Sequence, residues 1–105
     1  MKIEDLLSVA HTYGSPVYVY DADKISFQYQ RLTAAFSSVP HLRINYAMKA
    51  LSNISVLKLM KKLGAGLDTV SIQEVQLGLR AGFAPQQIIF TPNGVSMDEI
   101  EEATL

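Results

Sequence analysis

Three side chains stand where chemistry could be done: Lys49, Asp68 and Asn93. Each lies in or just after a stretch that reads as a β-strand, and α/β sheets collect their functional groups at the C-terminal ends of strands. Lys49 follows a strand-like stretch at 43–48. Strand side chains alternate between faces, which puts Asn45, Ala47 and Lys49 on one face and Ile44, Tyr46 and Met48 on the other. The first face is polar or small, as expected of a strand lining a ligand-filled mouth. A lysine desolvated there favours its neutral amine, the form that attacks a carbonyl. A solvated lysine just past a strand end meets the same pattern. Asp68 points opposite to Leu67 and Thr69, where its carboxylate could accept from a nitrogen cation on the neighbouring strand or simply face water. Asn93 with Gly94 reads as a turn.

These positions need elements to hold them. Ile3, Leu6, Leu7 and Ala10 fall at helical spacing, and Gly14 and Pro16 stop that helix. Residues 16–20 (Pro-Val-Tyr-Val-Tyr) read as a short strand. Asp21 or Asp23 can cap the next helix, whose apolar stripe is Ile25, Tyr29, Leu32 and Phe36. From residue 43 onward the pattern repeats. Strands begin near 44, 67 and 88, each followed by a helix, as in βαβ units that build a parallel sheet. The helix at 53–63 carries Ile54, Leu57, Met60 and Leu63 on one face and Lys58, Lys61 and Lys62 on the other. Gly64 ends it. Ser71 and Glu74 match a capping box ahead of Ile72, Val75 and Leu79. Gly82 ends that helix, and Ser96 caps a last one.

Other features read as structural. Gly64-Ala65-Gly66 joins a helix to a strand and so lies at the wrong end of the sheet for a phosphate loop. Ser71 has no nucleophile elbow around it. His11 and His41 stand alone in sequence, and the three lysines read as a solvated helix face.

Composition closes off several classes. Nine Lys and Arg against ten Asp and Glu leave a formal charge of -1, too little for a nucleic-acid footprint. The absence of Cys removes disulfides, a thiolate metal site and a Cys nucleophile, and fits a reducing compartment. No apolar run approaches the ~20 residues of a membrane span, and Glu4 and Asp5 stand where a leader would be apolar. The expected location is the cytoplasm. The 105 residues hold about three βα units, whereas a closed eight-unit barrel needs ~250 residues. A last helix without a stop signal and uncovered sheet edges create the expectation that the chain is the N-terminal portion of something longer.

Tyr46-Ala47-Met48-Lys49-Ala50 resembles the YAxKA segment of the PLP-dependent decarboxylases with an alanine-racemase-like barrel. The likeness continues through Pro16-Val17-Tyr18-Val19-Tyr20-Asp21, through residues 63–71 with Glu74, and through Ile88-Ile89-Phe90-Thr91-Pro92-Asn93-Gly94, in order and over nearly the whole chain. One departure is Leu51, where many relatives have Asn; here Asn53 stands two places on. The resemblance implies a (β/α)8 barrel beside a β-rich second domain. Residues 1–20 would associate with that second domain and 21–105 would form part of the barrel. It implies pyridoxal 5'-phosphate as cofactor, Lys49 as its Schiff-base lysine, Asp68 close to that lysine and the cofactor, no metal, and a homodimer. The phosphate loop and substrate-contacting residues come later in such proteins, so the 105 residues alone would be inactive. Within the family the wording is closest to the branch that converts meso-2,6-diaminopimelate to L-lysine and CO2. Ornithine, arginine or carboxynorspermidine as substrate, a non-catalytic barrel relative, and a small α/β binding domain are the alternatives.

Overall fold

The computed structural model describes residues 1–104. Its helices are α1 (Ile3–Tyr13), α2 (Ala22–Ala35), α3 (Ile54–Lys62), α4 (Ile72–Arg80) and α5 (Met97–Thr104); its strands are β1 (Asn45–Ala47), β2 (Gly66–Thr69) and β3 (Ile88–Phe90). The strands form one parallel sheet in the order β1-β2-β3, with α3 and α4 as the crossovers. Tyr46 pairs with Leu67 and Leu67 with Ile88; Ala47 pairs with Asp68 and Asp68 with Ile89. This is the α/β architecture expected from the repeat of strands and helices.

Local signals set most helix ends. Asn53 Oδ1 accepts from the amides of Ser55 (2.9 Å) and Val56 (3.3 Å), starting α3. Past its C-terminus Gly64 takes φ +93, and the amide of Ala65 closes onto the carbonyl of Met60 at 3.1 Å. Only glycine adopts that backbone at little cost, so Gly64 turns the chain into β2. At α4 the amide of Glu74 donates to Ser71 Oγ at 3.2 Å, as the capping box requires. The Glu74 carboxylate reaches one residue further than expected and accepts from the amide of Val70 at 2.7 Å. Each cap is worth about 1 kcal/mol.

The core lies between the sheet and its crossover helices. Met48, Leu57, Leu67, Ala81 and Phe83 form one cluster, and Val56, Met60 and Ala65 form a second; the ring of Tyr46 packs against both. Alternation along β2 is as expected, with Leu67 and Thr69 fully buried and Asp68 half-buried on the opposite face.

Four expectations are corrected. Residues 16–20 run without a ladder partner, and Tyr18 is 89% exposed; the strand pattern is present, but no strand of the described residues flanks it. The first barrel-type strand ends at Ala47, and Met48–Ala50 form a 3-10 turn, so face alternation does not reach Lys49. In α4, Leu79 faces outward; Leu77 packs on the core and the buried Gly78 lets the helix approach β2. In α2, Ile25 and Tyr29 pack inward as expected, but Leu32 and Phe36 stay about half exposed because α3 covers only part of the helix.

Asp21 caps α2 by accepting from the amide of Lys24 at 3.0 Å and also holds the Met1 ammonium at 2.9 Å. The ammonium's hydrogen bond and then the Lys24 amide keep the Asp21 carboxyl below its ordinary 3.8, while Asp21 keeps the ammonium above its ordinary 8.0. A depressed carboxyl contributes stability above its unfolded pKa that is lost as pH falls through the folded value. A raised amine contributes below its unfolded pKa and loses that contribution as pH rises through the folded value. The contact is therefore intact between about pH 4 and pH 8. Acetylating the N-terminus is expected to speed amide exchange in the first turns of α1 and α2 inside that window and to change little outside it. Both groups are solvent-accessible, so added salt shrinks the effect.

Candidate active site

Lys49, Asp68 and Thr91 sit at the C-terminal rim of the three strands. Lys49 lies in the 3-10 turn that directly follows β1; its side chain is exposed, which matches the solvated of the two readings the sequence left open. Met48, one residue earlier, is fully buried among Leu57, Leu67 and Phe83. The buried methionine anchors one side of the turn and leaves the lysine free to project from it.

Asp68 stands on β2 opposite Ala47, two residues before Lys49 on the adjacent strand. Its Oδ1 accepts from Thr91 Oγ1 at 2.6 Å. Thr91 is set by the sheet itself, because its amide donates to the carbonyl of Thr69 at 2.8 Å just past the end of β3. The hydroxyl orients the carboxylate through a link spanning 23 residues of sequence. Nothing in the local sequence marks Thr91 for this role, which depends on the β2–β3 register. Among the described residues Lys49 and Asp68 do not come within ion-pair distance, and Lys49 makes no side-chain hydrogen bond. Asn93 lies in the exposed turn before α5, with Gly94 at φ +71, and does not join them.

The face carrying Asp68 also carries Asn45, Ala47, Gly66 and Ile89. A Cβ on Gly66 would collide with Asn45 Oδ1 and stand 3.0 Å from the carbonyl oxygen of Gln87, so only glycine fits there. Asn45 Oδ1 is buried without a partner among the described residues. Along β1 an open groove of about 580 Å3 runs against α2, lined in part by Ile25, Tyr29, Leu32, Ile44, Tyr46 and Met60. Its lining is mostly apolar, with Lys24, Gln28 and Asn45 as polar members. Among the described residues no group of three or more His, Asp or Glu could hold a metal, and no helix is long and apolar enough to cross a membrane.

His11 and His41 are exposed and far apart in sequence from the rim residues; Lys58, Lys61 and Lys62 are exposed along α3. The position two residues past Lys49 is filled by Leu51, which packs on the second core cluster, and Asn53 is occupied as the cap of α3. The departure from the family wording is thus used structurally.

The donor set at the rim fits a pyridoxal group. An accessible primary amine is available for its aldehyde. One strand away stands a carboxylate with a fixed orientation and no ion-pair partner among the described residues.

Comparison with known proteins agrees with this chemistry. The family model described as "Pyridoxal-dependent decarboxylase, pyridoxal binding domain" matches residues 22–105. The chain is 47% identical over 92 residues to a diaminopimelate decarboxylase of Helicobacter pylori, covering 88% of this chain and 22% of that protein. It is 39% identical over 100 residues to the diaminopimelate decarboxylase of Methanothermobacter thermautotrophicus, covering 94% and 23%. Among solved structures, Helicobacter pylori diaminopimelate decarboxylase complexed with L-lysine superposes with a TM-score of 0.84 at 41% identity, covering 98% of this chain and 25% of that one. Lysine/ornithine decarboxylase of Vibrio vulnificus complexed with putrescine superposes with a TM-score of 0.87 at 26% identity, covering 97% and 27%. The chain spans less than a quarter of the length of these two curated relatives. The matched domain, the parallel sheet and the amine at its rim together place this chain in the pyridoxal-dependent decarboxylase family, with residues 22–105 belonging to its pyridoxal-binding domain.

Proposed function

We propose that this chain is the lysine-bearing part of a pyridoxal 5'-phosphate-dependent carboxy-lyase that converts meso-2,6-diaminopimelate to L-lysine and CO2. The observation that carries the reading is the exposed amine of Lys49 at the rim of β1, one strand from the Asp68 carboxylate held by Thr91. The identities of 47% and 39% to diaminopimelate decarboxylases favour that substrate. The cofactor supplies an electron sink for the pair released when the carboxylate leaves. Lys49 contributes the primary amine that holds the cofactor's aldehyde. Asp68 presents a fixed negative charge toward the same mouth, and Thr91 keeps that charge from rotating away.

In this reading residues 1–20 associate with a β-rich second domain, which gives residues 16–20 the ladder partner they lack, and 21–105 form the first part of a (β/α)8 barrel. The working protein is a cytoplasmic homodimer with a small amino acid as its substrate and no metal, and the 105 residues alone are inactive. A second reading, ornithine or lysine as substrate, is favoured by the superposition on the Vibrio vulnificus enzyme. Measuring CO2 release from diaminopimelate, lysine, ornithine and arginine with the full-length protein separates the two. A preference for any substrate but diaminopimelate overturns the first reading.

Thr91→Val removes the hydroxyl from Asp68 while keeping the shape of the side chain. Cofactor affinity is expected to fall about tenfold, the scale for losing an outer partner of a binding group, and Thr91→Ser is expected to restore most of it. Equilibrium titration with pyridoxal phosphate reads the change.

A further inference from the structure

We infer that Tyr46 is a positioning residue for Lys49, its hydroxyl strapping down the 3-10 turn on which the lysine stands. This rests on the reading of Lys49 as the cofactor-holding amine. Tyr46 Oη donates to the carbonyl oxygen of Leu51 at 3.0 Å, across the whole Met48–Ala50 turn. Inside that loop the amide of Leu51 donates to the carbonyl of Met48 at 3.1 Å. Leu51 is therefore held through both its backbone groups by residues that precede Lys49, so the two bonds close over the lysine. The ring giving the hydroxyl its reach is itself fixed, since it packs against both core clusters and pairs in register with Leu67 on the central strand.

Burial, with a smaller contribution from Tyr20, raises the Tyr46 hydroxyl above its ordinary 10.0, so it remains a donor over the range in which a lysine amine is used. The lysine side chain is exposed and makes no hydrogen bond of its own among the described residues. Its direction is set by the backbone that carries it. Of the bonds holding that backbone, the strap is the one contributed by a side chain. Displacement of a reacting group by a fraction of an ångström to an ångström is enough to slow a reaction severalfold to a hundredfold.

The test uses full-length protein freed of cofactor and compares wild type, Tyr46→Phe and Tyr29→Phe. Tyr29 packs on the second cluster, and its hydroxyl makes no hydrogen bond among the described residues, so it controls for loss of a core tyrosine hydroxyl. The readout is the rate at which added pyridoxal phosphate becomes attached to Lys49. Attachment joins Nζ to the aldehyde carbon with loss of water; borohydride reduces the double bond to a stable amine that peptide mass mapping locates. Tyr46→Phe is expected to slow attachment about tenfold at every pH without shifting the pH profile, and Tyr29→Phe to leave it unchanged. Equal rates for Tyr46→Phe and wild type overturn the positioning role, as does equal slowing by both variants or a shifted profile. Wild type that carries no label on Lys49 overturns the reading of Lys49 itself, a distinct result. Amide exchange of Leu51 in the same three proteins gives a second readout. That amide donates to Met48 inside the turn, so Tyr46→Phe is expected to speed its exchange and Tyr29→Phe to leave it unchanged; equal exchange in wild type and Tyr46→Phe overturns the strap.

Discussion

Lys49→Ala in the full-length protein is expected to abolish covalent retention of pyridoxal phosphate and to lower decarboxylation by at least about a thousandfold, the scale on which removing a group that acts covalently is felt. Its magnitude follows from where the residue stands. Lys49 is exposed in a turn, outside both core clusters, so alanine there leaves the fold intact. The loss therefore appears in chemistry and not in stability. Lys49→Arg sharpens the test, because arginine keeps the positive charge and the length but supplies no amine that can be deprotonated. If Lys49 worked only as a cation, the arginine variant would retain turnover. Yellow colour with normal CO2 release from Lys49→Ala would remove Lys49 from the mechanism altogether. Activity, visible absorbance and the mass of the borohydride-treated protein read the two variants against the wild type.

Leu67→Ala is expected to have the largest effect on stability of any single truncation in the sheet. Leu67 is fully buried on the central strand, between Tyr46 and Ile88 in register and in one cluster with Met48, Leu57 and Phe83. Truncating such a leucine costs about 2–5 kcal/mol, the spread depending on how far the surroundings close on the cavity. Domains are typically stable by only about 5–15 kcal/mol, so the loss shows plainly in a denaturant titration. The structure also predicts a partial remedy. A Cβ on Gly78 would lie 2.7 Å from Leu67 Cδ1, 3.3 Å from Ile88 Cδ1 and 3.6 Å from Met48 Cε. In the wild type Gly78→Ala drives a methyl group into a filled space. With Leu67 truncated, the same methyl enters the vacated space. The double variant Leu67→Ala, Gly78→Ala should therefore be more stable than Leu67→Ala alone, with a coupling of about 1 kcal/mol or more between the sites. Strict additivity would mean that α4 does not approach β2 as closely as the structure shows.

The elements legible in the sequence are those whose signals are local. Asn53, Ser71 and Ser96 act on amides two or three residues away, and Gly64 and Gly82 supply positive φ where helices end, so these boundaries follow from neighbours along the chain. The two-residue period likewise placed Leu67 and Thr69 opposite Asp68 whatever the sheet's neighbours. The family wording around Lys49 marked the lysine, and the structure puts it at the strand rim as that wording implies.

What the tertiary structure alone decided depends on groups distant in sequence or on partners that no local pattern names. Whether residues 16–20 form a strand depends on another strand lying beside them, and the β pattern contains no such information. The orientation of Asp68 comes from Thr91, which reaches it only because β2 and β3 pair in one register; a shift of one residue would face the hydroxyl the other way. The inward positions of Leu77 and Gly78 instead of Leu79 follow from how closely α4 lies on the sheet. Lys49 shows both halves at once. Its amine and its place after a strand are properties of the sequence. Its direction is set by a turn that breaks strand alternation and by a tyrosine hydroxyl closing over that turn, and both exist only once the core has fixed the ring of Tyr46.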